Sequence, residues 1–278
     1  MTIHGVGTTM YQWDREYQQR GLSFDDHLPE AFTEMASLGL DGVESRLKYA
    51  NTPERAGQFA RLCQQAGVRI ASLYGSCKLY DKAAVQNEVE QFLAAAASAR
   101  KAGCSLITLD MGTPHGRSKT EAELEVQVEG LEAIGAGLKA LNMRAALHNH
   151  TPEMRENARE FRYVMGHVRS EAIGACLDLA WALVAGVSPL ELIREVHPRL
   201  FDMHVRNVAD GWFTETVPEG AISYAQIVNL LDQYGYDGWL IVELAYDDRV
   251  QTTRSLRQNT LRSVWYLKGI LSHTGSGG

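Results

Sequence analysis

Arg144-Ala-Ala-Leu-His148-Asn-His150, Ile173-Gly-Ala-Cys-Leu-Asp178, Leu200-Phe-Asp-Met-His204 and Trp239-Leu-Ile-Val-Glu243 are four apolar runs, each ending in a side chain able to ligate a metal ion. A carboxylate at the end of a buried strand is costly to desolvate unless something positive meets it. A shared divalent cation is the simplest such partner. Successive strands delivering polar ends to one rim is what a closed parallel barrel does at its C-terminal face.

Working outward, the same rhythm covers the whole chain. Strands are predicted at Ile3–Thr8, Gly42–Ser45, Arg69–Tyr74, Ser105–Asp110, Arg144–His148, Ile173–Asp178, Phe201–Val205 and Trp239–Leu244. Between them, Leu28–Leu38, Pro53–Ala66, Lys82–Ala102, Thr120–Leu141, Asn157–Val168, Pro189–Val196 and Tyr224–Tyr234 carry apolar residues at helical spacing, and Gln251–Ile270 closes the series. Gly39, Gly67, Gly103 and Gly235 follow helices where a left-handed C-cap is wanted. Eight strands alternating with helices predict an α/β fold, a (β/α)8 TIM barrel in a single domain over residues 1–272. A doubly wound sheet would place a glycine-rich phosphate turn after the first strand, and Gly5-Val-Gly7 lacks the third glycine. Thr9 to His27 reads as a long first loop rich in aromatic and Arg residues, and the tail from His273 to Gly278 as a flexible linker.

The chain has 278 residues, 45% hydrophobic and 22% charged, with a formal net charge of -7. No Lys/Arg run supplies the electrostatic footprint of a nucleic-acid groove, so a small neutral or polar ligand is expected. The four cysteines form no C-x-x-C pair, which predicts reduced thiols and a cytoplasmic protein. No basic n-region with a long apolar stretch opens the chain, and no membrane span is expected.

Asp178, His204 and Glu243 are the primary metal-ligand candidates. Strand alternation sends His148 and His150 to one side, with Glu153 in the loop beyond, and any of the three could complete the shell. A mixed carboxylate and imidazole set suits Mn, Co, Mg or Zn, with manganese preferred and a position left open for substrate oxygens. Glu44, His115, Trp181 and Arg206 are candidate substrate contacts around that shell: polar groups for hydroxyls, an aromatic face for a sugar ring. The plainer alternatives are an N-cap role for Asp178 and an ion pair of Glu44 with Arg46 or Arg206.

The segments Phe32-Thr-Glu-Met-Ala-Ser-Leu-Gly-Leu-Asp-Gly-Val-Glu44, Ala71-Ser-Leu-Tyr74, His148-Asn-His150, Cys176-Leu-Asp178, Asp202-Met-His204-Val-Arg206-Asn207 and Gly235-Tyr-Asp-Gly-Trp-Leu-Ile-Val-Glu243 together resemble the xylose isomerase-like barrel superfamily. The similarity lies in its sugar phosphate isomerase/epimerase and inosose dehydratase-like branch. That resemblance implies a divalent ion held by residues from the last four barrel strands, here Asp178, His204 and Glu243 with strand five in question. Where many members carry Leu-Glu at strand five, this chain carries Leu-His148-Asn-His150, and His-Val-Lys-Asp is changed to His204-Val-Arg206-Asn207.

Chemistry of this type passes through an enediolate, formed by removing the proton alpha to a carbonyl. His150, or His148, is the expected base, with Glu243 sharing the catalytic work. The leading expectation is a metal-dependent isomerase or epimerase of a sugar or keto-polyol. A lyase, inosose dehydratase-like or a 3-keto-glycoside eliminase of the C-glycoside deglycosidase type, follows if a leaving group sits beta to the carbanion. An endonuclease IV-like repair enzyme would need more metal ligands and basic groove loops, and a noncatalytic sugar-binding subunit would need no stoichiometric ion. The expected partners are a small carbohydrate and a second copy of the chain in a homo-oligomer, or a hetero-partner subunit.

Overall fold

In chain order the elements are β1 (Thr2–Thr9), α1 (Tyr11–Gln19), α2 (Leu28–Ser37), β2 (Gly42–Arg46), α3 (Pro53–Ala66), β3 (Arg69–Ser76), α4 (Val85–Lys101), β4 (Leu106–Asp110), α5 (Glu121–Ala140), β5 (Arg144–His148), α6 (Thr151–His167), β6 (Ile173–Asp178), α7 (Leu179–Val184), α8 (Pro189–Val196), β7 (Leu200–Val205), β8 (Val208–Ala209), β9 (Trp212–Phe213), α9 (Tyr224–Gln233), β10 (Asp237–Val242) and α10 (Leu256–Thr274). They come from a computed structural model that describes residues 1–274. Eight parallel strands close in the order β1-β10-β7-β6-β5-β4-β3-β2, and the helices surround them, as the sequence predicts for a TIM barrel. Among the described residues no helix is long and apolar enough to cross a membrane.

The main apolar core lies between strands and helices and includes Phe32, Leu73, Ile107, Phe161 and Leu240. Two smaller clusters stand apart from it: Leu106, Ala146, Cys176 and Phe201, and Ala71, Trp239 and Ile241. By strand alternation Ala146, Cys176 and Ile241 share a face with His148, Asp178 and Glu243. The barrel interior is therefore a packed plug beneath the polar strand ends. Packing there is close: a Cβ on Gly174 would come within 2.3 Å of the Arg199 carbonyl. At the other kind of glycine position, Gly67 ends α3 with φ 74°, the left-handed cap that its place before β3 predicts.

Four local expectations are corrected. The first loop contains α1, whose buried face is Gln12, Trp13, Asp14 and Tyr17; two of these four are polar, so the apolar stripe is too thin to register as a period. A short helix, α7, follows β6 directly because Asp178 caps it. The helix expected from Asn157 begins at Thr151 and is interrupted, with Arg155 extended and Glu156, Asn157 and Ala158 at φ 52°, 60° and 58°. Three consecutive left-handed non-glycine residues cost about 1–2 kcal/mol each and persist only where neighbours impose them. Here Ser118 donates to Glu156 (3.1 Å), Arg159 donates to the Lys119 carbonyl (2.9 Å), and Lys119 pairs with Glu160 in a buried contact. Finally, α10 runs through Thr274, so the tail expected from His273 starts inside a helix, and 275–278 lie outside the described residues.

Candidate metal centre and cavity

A cavity of about 470 Å³ opens at the C-terminal ends of the strands, with Glu44, Tyr74, His148, His150, His204 and Glu243 in its floor and walls. One ligating atom each from His148, Asp178, His204 and Glu243 falls within 4.8 Å of the others. Each comes from a different consecutive strand end, and of the three strand-five candidates His148 is the one that falls within this cluster.

Asp178 is held twice over. Its Oδ1 accepts the backbone N–H groups of Ala180 (2.8 Å) and Trp181 (2.9 Å), capping α7. Its Oδ2 is buried without a hydrogen-bond partner, although the Arg206 Nε lies 3.5 Å away. Cap and ligand are thus compatible, one oxygen for each. Burial raises the Asp178 pKa, with Arg206 opposing. Glu243 is the reverse case: burial works against its charge, but the Arg206 guanidinium (3.1 Å) and the His204 Nδ1 (2.7 Å) hold its carboxyl well below the usual range.

Burial, reinforced by His204 and His150, holds His148 neutral far below the ordinary imidazole pKa, the state a metal ligand requires. For His204 burial again favours the neutral ring, yet the Cys176 sulfur and the carboxylates of Glu44 and Glu243 raise its pKa. The donor set fits a divalent cation: two carboxylates balance its charge, two imidazoles give borderline nitrogen donors, and one buried carboxylate oxygen accepts no hydrogen bond.

The remaining predicted residues divide. His150 lines the cavity with its ring 4.6 Å from that of His148, outside the donor set. Trp181 forms part of the wall, and Arg206 packs against an edge-to-face aromatic pair, 3.4 Å from the Phe213 centroid and 4.9 Å from that of Trp181. The Tyr224 hydroxyl holds the Arg206 backbone, accepting from its N–H (3.1 Å) and donating to its carbonyl (2.6 Å). Glu153 is corrected from ligand to cap: Oε2 accepts the His150 N–H (2.9 Å) and Oε1 the Thr113 hydroxyl (3.0 Å). His115 is exposed in the loop after β4 and absent from the cavity lining. Glu44, expected at substrate, is 3% exposed and engaged from below, where its Oε2 accepts the hydroxyls of Ser72 (2.7 Å) and Thr108 (2.5 Å).

Sequence reasoning missed four groups. Phe213 reaches the cavity only because β8 and β9 form a hairpin through Asp210 and Gly211, at φ 52° and 77°, with Asp-Gly as its signal. Tyr74 stands with its ring 5.8 Å from that of His148. Cys176 looked like a small core residue but lies 3.9 Å from the His148 Nδ1. Asp202, two residues before His204 on β7, is buried, and burial with the nearby Glu44 pushes its carboxyl up to about 8.

A closed β/α barrel with imidazoles and carboxylates at its strand ends defines a class of barrel built around a candidate metal centre. Residues 32–264 match the family model for the xylose isomerase-like TIM barrel, and the chain belongs to that family. An inosose dehydratase from Geobacillus kaustophilus is 25% identical over 254 residues, spanning 80% of this chain and 81% of that protein. Another from Clostridium beijerinckii is 23% identical over 261 residues, covering 82% and 86%. Among solved structures, a sugar phosphate isomerase/epimerase from Parabacteroides distasonis superposes with a TM-score of 0.76 at 18% identity, covering 96% of this chain and 94% of its own. A 3-keto-D-glucoside 4-epimerase from E. coli gives 0.72 at 14%, covering 95% and 98%. At these identities the structural likeness concerns the fold.

Proposed function

We propose that this protein is a divalent-metal-dependent enzyme that removes the proton alpha to the carbonyl of a keto sugar or keto-polyol and expels a beta hydroxyl or alkoxide, a lyase. The observation that carries the proposal is the separation of roles at strand five: His148 belongs to the donor set with Asp178, His204 and Glu243, while His150 lines the same cavity outside it. The inosose dehydratase relatives, matched over about four-fifths of both chains, support the lyase outcome.

His148, Asp178, His204 and Glu243 would hold the ion; the two imidazoles suit a borderline ion such as Co or Zn, and the two carboxylates suit Mn. When bound, such an ion supplies Lewis-acid polarisation of the substrate carbonyl. The chain's own groups do the rest. His150 takes the alpha proton, since an imidazole is a competent base near neutral pH. Arg206, packed against Phe213 and Trp181 and bonded to Glu243, presents its positive charge to the enediolate oxygens. The proton on His150 then passes to the departing oxygen, so the substrate loses water or an alcohol overall. Isomerisation or epimerisation is the second reading, favoured by the presence of both His150 and Glu243 in the cavity lining, where either can return the proton to carbon.

The test is to load the protein with Mn, Co or Zn and incubate it with inososes and keto sugars in deuterium oxide. Loss of water or alcohol in the mass spectrum is expected, with deuterium at the alpha carbon of recovered substrate where proton removal reverses, or at the former beta carbon once the enol product returns to the ketone. Deuterium without elimination selects the second reading, and absence of exchange and turnover across the panel defeats both.

A further inference from the structure

We propose that Glu44 is a positioning residue for His204, fixing that ring from inside the barrel, and that it does not bind substrate. The proposal rests on the metal-centre reading above and gives one of its ligands a support that the ligand set does not itself supply.

The two oxygens of the Glu44 carboxylate face different partners. The end of β2 pairs with β3 so that Glu44 stands beside Ser72, and Thr108 on β4 reaches the same carboxylate. Both hydroxyls donate to Oε2, at 2.7 and 2.5 Å. Each has a single proton to give, so the two bonds fix the carboxylate plane. Oε1 is thereby left facing His204, 3.1 Å from Nε2. That nitrogen is buried and makes no in-line hydrogen bond in this structure, and Oε1 is the carboxylate oxygen beside it. The other ring nitrogen, Nδ1, faces Glu243 in the donor set at 2.7 Å.

The His204 ring therefore has a carboxylate on each side, one in the cavity and one beneath it. A metal-holding imidazole commonly gives its second N–H to a carboxylate, which fixes tautomer and orientation and raises ligand basicity. Glu44 has the burial, the charge and the fixed orientation for that task. A substrate contact has the opposite requirements. It needs an oxygen free toward the cavity, whereas Oε2 is occupied by two hydroxyls and Oε1 is turned to His204. Ser72, Thr108 and His204 together also explain how a carboxylate is tolerated in a barrel interior at 3% exposure.

Glu44→Gln keeps the shape and removes the charge, and Thr108→Val loosens one of the two bonds on Oε2. Metal affinity of the folded variants, titrated against a chelating dye with Mn and with Zn, is expected to fall roughly 10–100-fold in E44Q and less in T108V. KM at saturating metal stays near the wild-type value. In metal-free protein a downfield, slowly exchanging proton assigned to the His204 Nε2–H, distinct from any on the Nδ1 that faces Glu243, is expected in wild type and lost in E44Q. Wild-type metal affinity in E44Q together with a raised KM overturns the proposal in favour of a substrate contact. If wild-type protein takes up no divalent ion, the metal-centre reading fails and the ring proton decides alone: its loss in E44Q supports the positioning role, and its persistence overturns it.

Discussion

Asn149 and Asp178 are joined by two reciprocal hydrogen bonds: the Asn149 amide donates to the Asp178 carbonyl at 3.0 Å, and the Asp178 N–H donates to the Asn149 Oδ1 at 3.0 Å. The residue between His148, at the end of β5, and His150, before α6, thus clamps the end of β6. It fixes the backbone from which Asp178 sends one oxygen to α7 and the other toward the donor set.

That division of labour gives the first prediction. Asp178→Asn retains an oxygen for the cap but loses the charge, and Glu243→Gln loses the second charge. Both variants should fold and contain little bound metal after loading, with turnover lost, as read by elemental analysis of desalted protein. Full metal stoichiometry in both would show the donor set to be wrong.

Arg206 should affect turnover without affecting metal content. Arg206→Lys keeps a positive charge but loses the planar fork and the stacking on Phe213 and Trp181. Turnover is expected to fall roughly 10–100-fold, the cost of one or two hydrogen bonds to a charged group. Loss of the ion in this variant would place Arg206 among the supports of the metal centre instead.

The two histidines of strand five should separate cleanly. His148→Ala removes a donor and should strip the metal, whereas His150→Ala should keep the metal and lose solvent deuterium exchange at the alpha carbon. Equal exchange in His150→Ala and wild type would return the proton transfer to Glu243.

A pH effect is expected far from the cavity. Glu123 is held at about 2 by the Arg117 guanidinium and by the Thr120 backbone and hydroxyl in the capping box of α5. A carboxylate lowered in the folded state contributes stability that is present above its unfolded value of 4.5 and is lost as pH falls toward 2. The melting temperature of wild type should therefore exceed that of Glu123→Gln at neutral pH, and the gap should close between pH 4.5 and 2. A gap independent of pH would mean that the cap acts without its charge.

Lys119 and Glu160 form a buried pair, 2% and 6% exposed, that ties the loop after β4 to the left-handed turn of α6. Lys119→Met leaves Glu160 buried without its counter-charge and should cost about 3 kcal/mol in urea unfolding. A loss below about 1 kcal/mol would show that Glu160 neutralises itself at little cost.

Local rules were enough to specify most of the barrel. Apolar runs of strand length, amphipathic stretches between them and glycines at helix ends are properties of neighbouring residues, and they were legible as eight alternating units. The same locality brought Asp178, His204 and Glu243 to strand ends, because an acid or imidazole closing a buried run has one economical place to point. The choice among His148, His150 and Glu153 was not local. All three lie within six residues, and only the closing of the barrel shows that His148 enters the donor set, His150 stands beside it and Glu153 turns back to cap α6. Glu44 is the clearest case. Its task depends on hydroxyls 28 and 64 residues away and an imidazole on β7, and no sequence period records contacts between strands that meet only when the sheet closes.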